Sequence, residues 1–125
     1  MTSGPTAAML AAVRGEPFQI GFSGPAQYDY APDVARALVL AAHSGTTSSA
    51  VYNVPGALAD MAEVVACIRS AVPGAQVTWD GPPLPFPPAL ESVGFDRDVA
   101  PFPRTHLAYG VAATVAHFRR TLERG

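Results

Sequence analysis

The side chains able to do chemistry in this sequence are few, and their types set narrow limits. All eight basic residues are arginine and there is no lysine. Schiff-base catalysis, a phosphate-loop lysine and a tyrosine–lysine pair are therefore beyond this polypeptide acting alone. His43, His106 and His117 stand far apart without a partner ligand at helical spacing, which predicts no metal site. Cys67 has no second cysteine to pair with and sits beside an apolar stripe, as a small buried residue does. Asp96 and Asp98 could pair for acid–base work, but with Arg97 between them they read as a solvated turn. Asp33 stands at a helix start, where capping accounts for a carboxylate without any catalytic role. Tyr28 and Tyr30 alternate around Asp29, either lining a pocket or packing one face of a strand. No catalytic residue can be assembled from this inventory.

Composition narrows the classes further. The chain has 125 residues, of which 49% are apolar and only 14% charged. Ordinary soluble domains carry about 25% charged residues. One domain is expected, too apolar for a disordered tail and too short for two enzymatic domains. The net charge of −2, spread along the chain, supplies no field for a phosphate backbone, so nucleic acid is not an expected partner. The longest apolar region, Val34 to Ala42, is interrupted by Arg36 and too short to span a membrane. With one cysteine and no signal-like start, a soluble protein in a reducing cytoplasm is expected.

The elements that must position these residues follow from periodicity and punctuation. Thr2, Ser3 and Pro5 open a helix of about three turns that Gly15 ends. Pro17 to Phe22 alternates as a strand, Ser23-Gly24-Pro25 turns the chain, and Gln27 to Ala31 is a second extended piece. Pro32-Asp33 opens a helix through Ala42 with a face of small residues, and Gly45 to Ser49 is a polar loop. Ala50 to Val54 reads as a buried strand ended by Pro55-Gly56. Asp60 and Glu63 have capping-box spacing, and Met61, Val64, Val65, Ile68 and Val72 form one helical stripe. Ala75 to Trp79 is a short strand. Gly81 to Pro88 lacks backbone donors at its five prolines and must be an extended loop, either a rigid cover or a ligand for an aromatic groove. After a turn region around Gly94, Asp96 and Asp98, Arg104 to Arg124 is a closing helix with Leu107, Val111, Val115, Phe118 and Leu122 on one face. Helices thus alternate with short strands, an α/β pattern.

Four landmarks in order carry a resemblance: Tyr30-Ala31-Pro32-Asp33-Val34-Ala35, Val51-Tyr52-Asn53-Val54-Pro55-Gly56, the Asp60-x-x-Glu63 helix, and Arg104-Thr105-x-Leu107-x-x-Gly110-Val111. Together they resemble the C-terminal part of NAD-dependent epimerase/dehydratase proteins, the extended short-chain dehydrogenases. The resemblance covers essentially the whole chain. It implies an α/β fold of helices with a few short, mostly parallel strands, making residues 1–125 a single substrate-binding-domain-like segment. Within it, residues 50–54 resemble the last strand of a nucleotide-binding sheet lying outside this chain.

It further implies a sugar or sugar-acid substrate, with Thr2, Ser3 and Gln27 on substrate loops and Tyr28 and Tyr30 beside them. NAD(P) is implied for full-length relatives. In this chain neither the glycine-rich fingerprint nor Tyr-x-x-x-Lys is present, and Gly21-x-x-Gly24 lies between two extended pieces. No cofactor site is expected here. An arginine that precedes the aspartate-valine-alanine motif in nucleotide-sugar relatives has no counterpart in Pro25 to Tyr30, which favours a free sugar acid or another small polar substrate. The opening Met1 to Thr6 resembles an interior segment of longer relatives, an expectation of truncation. The expected partners are therefore a separate nucleotide-binding half or a second copy of the chain.

Overall fold

The computed structural model describes residues 3–45, 49–101 and 103–124. Its elements are α1 (Gly4–Arg14), β1 (Phe18–Ile20), β2 (Pro25–Tyr28), α2 (Ala31–His43), β3 (Ala57–Asp60), α3 (Met61–Ala71), β4 (Val77–Trp79), α4 (Val93–Asp98) and α5 (Leu107–Glu123). This is the mixed α/β architecture that the alternation of patterns predicts.

Local chemistry sets the boundaries of the two firmest helices. The Ser3 side chain accepts the Thr6 amide and caps α1, whose last carbonyls are closed by the left-handed Gly15. The capping box of α3 forms in full: Asp60 accepts the Ala62 amide at 3.1 Å, and Glu63 accepts the Asp60 amide at 2.9 Å. Of the predicted stripe, Met61, Val64, Val65 and Ile68 are buried, while Val72 lies just past the helix and only half-buried. Each such side chain contributes about 1.5–3 kcal/mol by leaving water.

The core lies where α1, α3 and α5 pack around the parallel pair β1–β4. Ala8, Ile20, Met61, Ile68, Val77 and Val115 sit at its centre. Parallel pairing continues past β1 through a single bridge between Ser23 and Pro83, which ties the proline-rich loop to the sheet. A second, antiparallel pair joins β2 to β3 with Pro25 opposite Asp60 and Tyr28 opposite Ala57.

Four expectations are corrected. Residues 50–54 form no strand, and Val51 is 98% exposed; the strand begins at Ala57. The ladder starts there because Gly56 passes directly against the Tyr28 carbonyl, where a Cβ would collide with the backbone. Asp33 is not the cap of α2: the helix begins at Ala31 after Tyr30, and Asp33 in its first turn bonds to a distant segment instead. The region around Gly94 is the short helix α4, whose Phe95 is buried against Tyr52 in an edge-to-face contact. The closing helix starts at Leu107 rather than Arg104: Thr105 is bonded to Asp33 by its amide and hydroxyl, and His106 after it is extended. The predicted polar loop Gly45 to Ser49 falls largely on residues 46–48, outside the described residues.

Candidate functional site

A groove of about 920 Å³ runs between the start of α1, the junction of β2 with α2, and the length of α5. Its α5 wall is about 25 Å long at the rise of an ideal helix. Val111 and Val115 turn into the core, leaving Tyr109, Gly110, Ala113, Thr114, His117 and Arg120 along the groove. Small residues at Gly110, Ala113 and Ala116 make this wall low and open its floor to Met9 and Val64.

Four of the residues singled out in the sequence come together here: Ser3, Gln27, Tyr28 and Tyr30 all line the groove. The fifth, Thr2, lies outside the described residues. Their polar atoms are differently committed. Ser3 Oγ contacts Thr6 Oγ1 at 2.6 Å while capping α1. Gln27 grips the peptide of Leu90 from both sides, its Nε2 donating to the carbonyl at 3.2 Å and its Oε1 accepting the amide at 3.0 Å. It thereby pins the end of the proline-rich loop to β2. Tyr30 lays its ring over Gly110, within 3.5 Å of where a Cβ would stand.

Tyr28 carries the most unusual group in the groove. Its hydroxyl is buried and, among the described residues, has no hydrogen-bond partner. Burial, and secondarily the negative charge of Asp60, push the phenol above its ordinary value, so it stays a neutral O–H donor. Such an unmade bond costs about 1–3 kcal/mol until an acceptor arrives.

The wall on which these residues converge is fixed by one long-range clasp. Asp33 Oδ2 accepts the Thr105 amide at 2.7 Å and Oδ1 accepts its hydroxyl at 3.0 Å. Beside it, Asp96 accepts from Ser92 at 2.8 Å and from Arg104 at 3.0 Å, and these bonds hold its carboxyl below the usual range. Asp96 and Asp98 thus serve α4 and its neighbours: Asp98 takes the Arg97 guanidinium and the Tyr52 hydroxyl. Cys67 is half-buried on α3, its thiol pushed up by burial and by Glu63.

Tyr109, Thr114 and Arg120 on α5, and His106 just before it, line the groove without having been expected there from the sequence. A signal existed: away from the buried stripe, α5 carries glycine and alanines where a solvent-facing helix ordinarily carries long charged side chains. Among the described residues, no three His, Cys, Asp or Glu side chains gather to hold a metal. Gly21-x-x-Gly24 does not stand at a strand-to-helix turn. Gly24 turns β1 into β2 rather than into a helix, and a Cβ there would meet the Pro83 ring at 3.4 Å, so this turn faces the proline loop and offers no pyrophosphate cradle. What the arrangement offers chemically is recognition: aromatic faces, a buried hydroxyl donor, and a guanidinium on the α5 wall.

No protein-family model and no curated protein matches the sequence. Solved structures do share its fold. A partial consensus L-threonine 3-dehydrogenase superposes with a TM-score of 0.78 at 23% identity, over 93% of this chain and 41% of its own. UDP-glucose 4-epimerase from Thermotoga maritima, solved with UDP-glucose, gives 0.75 at 22% identity, over 93% of this chain and 39% of its own. UDP-glucuronic acid 4-epimerase from Bacillus cereus, solved with NAD, gives 0.72 at 14% identity, over 94% and 39%. This chain spans about two-fifths of the length of these proteins, and its fold is a partial version of the extended short-chain dehydrogenase fold that they share.

Proposed function

We propose that this chain is the C-terminal, substrate-binding portion of an NAD-dependent epimerase or dehydrogenase homologue, and that the groove along α5 receives a small polar substrate such as a sugar or sugar acid. The observation that carries the reading is the convergence of Ser3, Gln27, Tyr28 and Tyr30 on one concave surface. The fold neighbours act on threonine or on UDP-sugars, which fits a polar substrate of this size. Tyr30 and Tyr109 supply flat faces for the C–H side of a sugar ring, the Tyr28 hydroxyl donates to a ring or hydroxyl oxygen, and Arg120 suits a carboxylate. Hydride chemistry belongs to NAD(P), which would be held by residues outside this chain.

Ligand-observed NMR and calorimetric titration with glucuronate, glucose, L-threonine, NAD and NADP test this. Saturable binding of a sugar, sugar acid or amino acid is expected, weakened at least about tenfold by Tyr30→Ala, a loss of about 1.4 kcal/mol. Tight stoichiometric binding of NAD would sink the assignment of the cofactor to another portion. Failure of every small polar ligand to bind would sink the substrate assignment.

A further inference from the structure

The groove along α5 has two unlike ends. Tyr30 lies over Gly110 near the start of the helix, with Asp29 on the same wall. Arg120 stands ten residues beyond Gly110, about 15 Å along an ideal helix, and His117 lines the groove one turn before it. A single sugar ring is too short to touch both Tyr30 and Arg120. Between the ends, Ala113 and Ala116 present only methyl groups, and the Thr114 hydroxyl is spent on its own helix, donating to the Gly110 carbonyl at 2.7 Å. Charge is divided in the same way. Among the described residues of the lining, Asp29 is the one carboxylate and Arg120 the one guanidinium, and Arg120 makes no ion pair among the described residues. The volume of about 920 Å³ lies near the top of the range, about 300–1,000 Å³, of clefts that enclose a drug-sized ligand, far more than one ring fills.

We propose that the groove takes an elongated amphiphile: a hydroxyl-rich head between Asp29 and Tyr30, an apolar chain over Ala113 and Ala116, and an anionic terminus at Arg120. The proposal rests on the reading of the groove as a substrate site and names the substrate class, a glycoside whose other half is an alkyl chain ending in a carboxylate. Asp29 accepts hydroxyls and repels an anion, while Arg120 attracts one, so the charges admit the ligand in one direction. The middle of the wall offers the chain methyl groups with Met9 beneath them, and each methylene that leaves water there strengthens binding by up to about fourfold.

Calorimetric titration of the chain with methyl, octyl and 8-carboxyoctyl β-D-glucoside, each below its micelle-forming concentration, tests this. Octyl glucoside is expected to bind at least about tenfold more tightly than methyl glucoside. The carboxyoctyl glucoside should bind about threefold more tightly again, a second gain that fades at high salt. Ala113→Leu, which fills the trough, should abolish the first gain, and Arg120→Gln the second. Ala112→Leu, exposed and outside the groove, should keep both. Arg120 is exposed, so its variant tests the terminus even where Ala113→Leu fails to fold. Equal affinities for the three glucosides overturn the proposal and leave the small-polar-substrate reading standing. A chain-length gain that survives Ala113→Leu places the chain elsewhere and also overturns it, as does tighter binding of UDP-glucose than of the carboxyoctyl glucoside. If none of the three binds, the proposal fails, and the titrations above decide the broader reading separately.

Discussion

Asp33 and Thr105, seventy-two residues apart, are joined by two hydrogen bonds from one carboxylate, at 2.7 Å to the backbone amide and 3.0 Å to the hydroxyl. The pair ties the first turn of α2 to the segment that launches α5, and so holds together the two sides of the groove. Asp33 is buried, so its removal strands both Thr105 donors. Asp33→Ala is expected to cost about 2–4 kcal/mol in urea unfolding. Thr105→Val should cost less by itself. The double variant should fall well short of the sum, because the second change removes a hydroxyl that is already unpaired. Strict additivity would show that the clasp carries no coupling.

Gly56 is where the chain comes closest to itself. A Cβ there would run into the Tyr28 carbonyl, and no side-chain rotation relieves a collision with backbone. Gly56→Ala is expected to destabilise by about 3 kcal/mol or more and to disturb the β2–β3 register from Ala57 to Asp60. Amide exchange across this ladder should accelerate more than exchange in α3. An unchanged melting temperature would contradict the predicted collision.

How much of this was legible beforehand depended on whether the cause was local. The α3 capping box and its stripe are written in residues 60–68, and both formed as the spacing requires. Both strands of the parallel β1–β4 pair were legible from their own short runs, although two helices and the β2–β3 pair separate them in sequence. Residues 50–54 misled because an apolar run such as Ala-Val-Tyr-Asn-Val specifies burial without saying which element provides it; in the structure Val51 faces outward and Gly56 shifts the pairing to Ala57. Asp33 misled for a related reason. A carboxylate at a helix start satisfies the capping rule, and nothing near it in sequence announces Thr105. For the groove, β2 and the start of α1 were legible through the resemblance. The α5 wall was not, since its smallness becomes meaningful only once α1 and Tyr30 are seen opposite it.

Gln27 spends its whole amide on Leu90, which makes it a pin for the proline-rich loop. Gln27→Leu removes two largely exposed hydrogen bonds and should cost less than about 1 kcal/mol globally. Its effect should be local: faster proteolytic nicking between Pro85 and Glu91, with the melt of the core unmoved. Unchanged nicking would mean that the bridge at Ser23 and Pro83 restrains the loop without help from Gln27.

Tyr28 offers the sharpest separation between stability and recognition. Its buried hydroxyl has no partner among the described residues, so Tyr28→Phe removes a cost rather than a bond, and stability at pH 7 should stay level or rise. The pH dependence follows from the raised phenol. Because the folded protein holds the proton more tightly than the unfolded chain does, ionisation of this phenol opposes folding: stability is undiminished below about pH 10 and is lost as pH rises through the folded value. Wild type should therefore lose urea resistance more steeply than Tyr28→Phe above pH 10, while the two run parallel at pH 6–8. If the hydroxyl also awaits an acceptor on a ligand, Tyr28→Phe should weaken ligand binding while leaving the fold intact. A drop in stability at neutral pH would show that the hydroxyl is bonded in solution, and would remove it from the recognition surface.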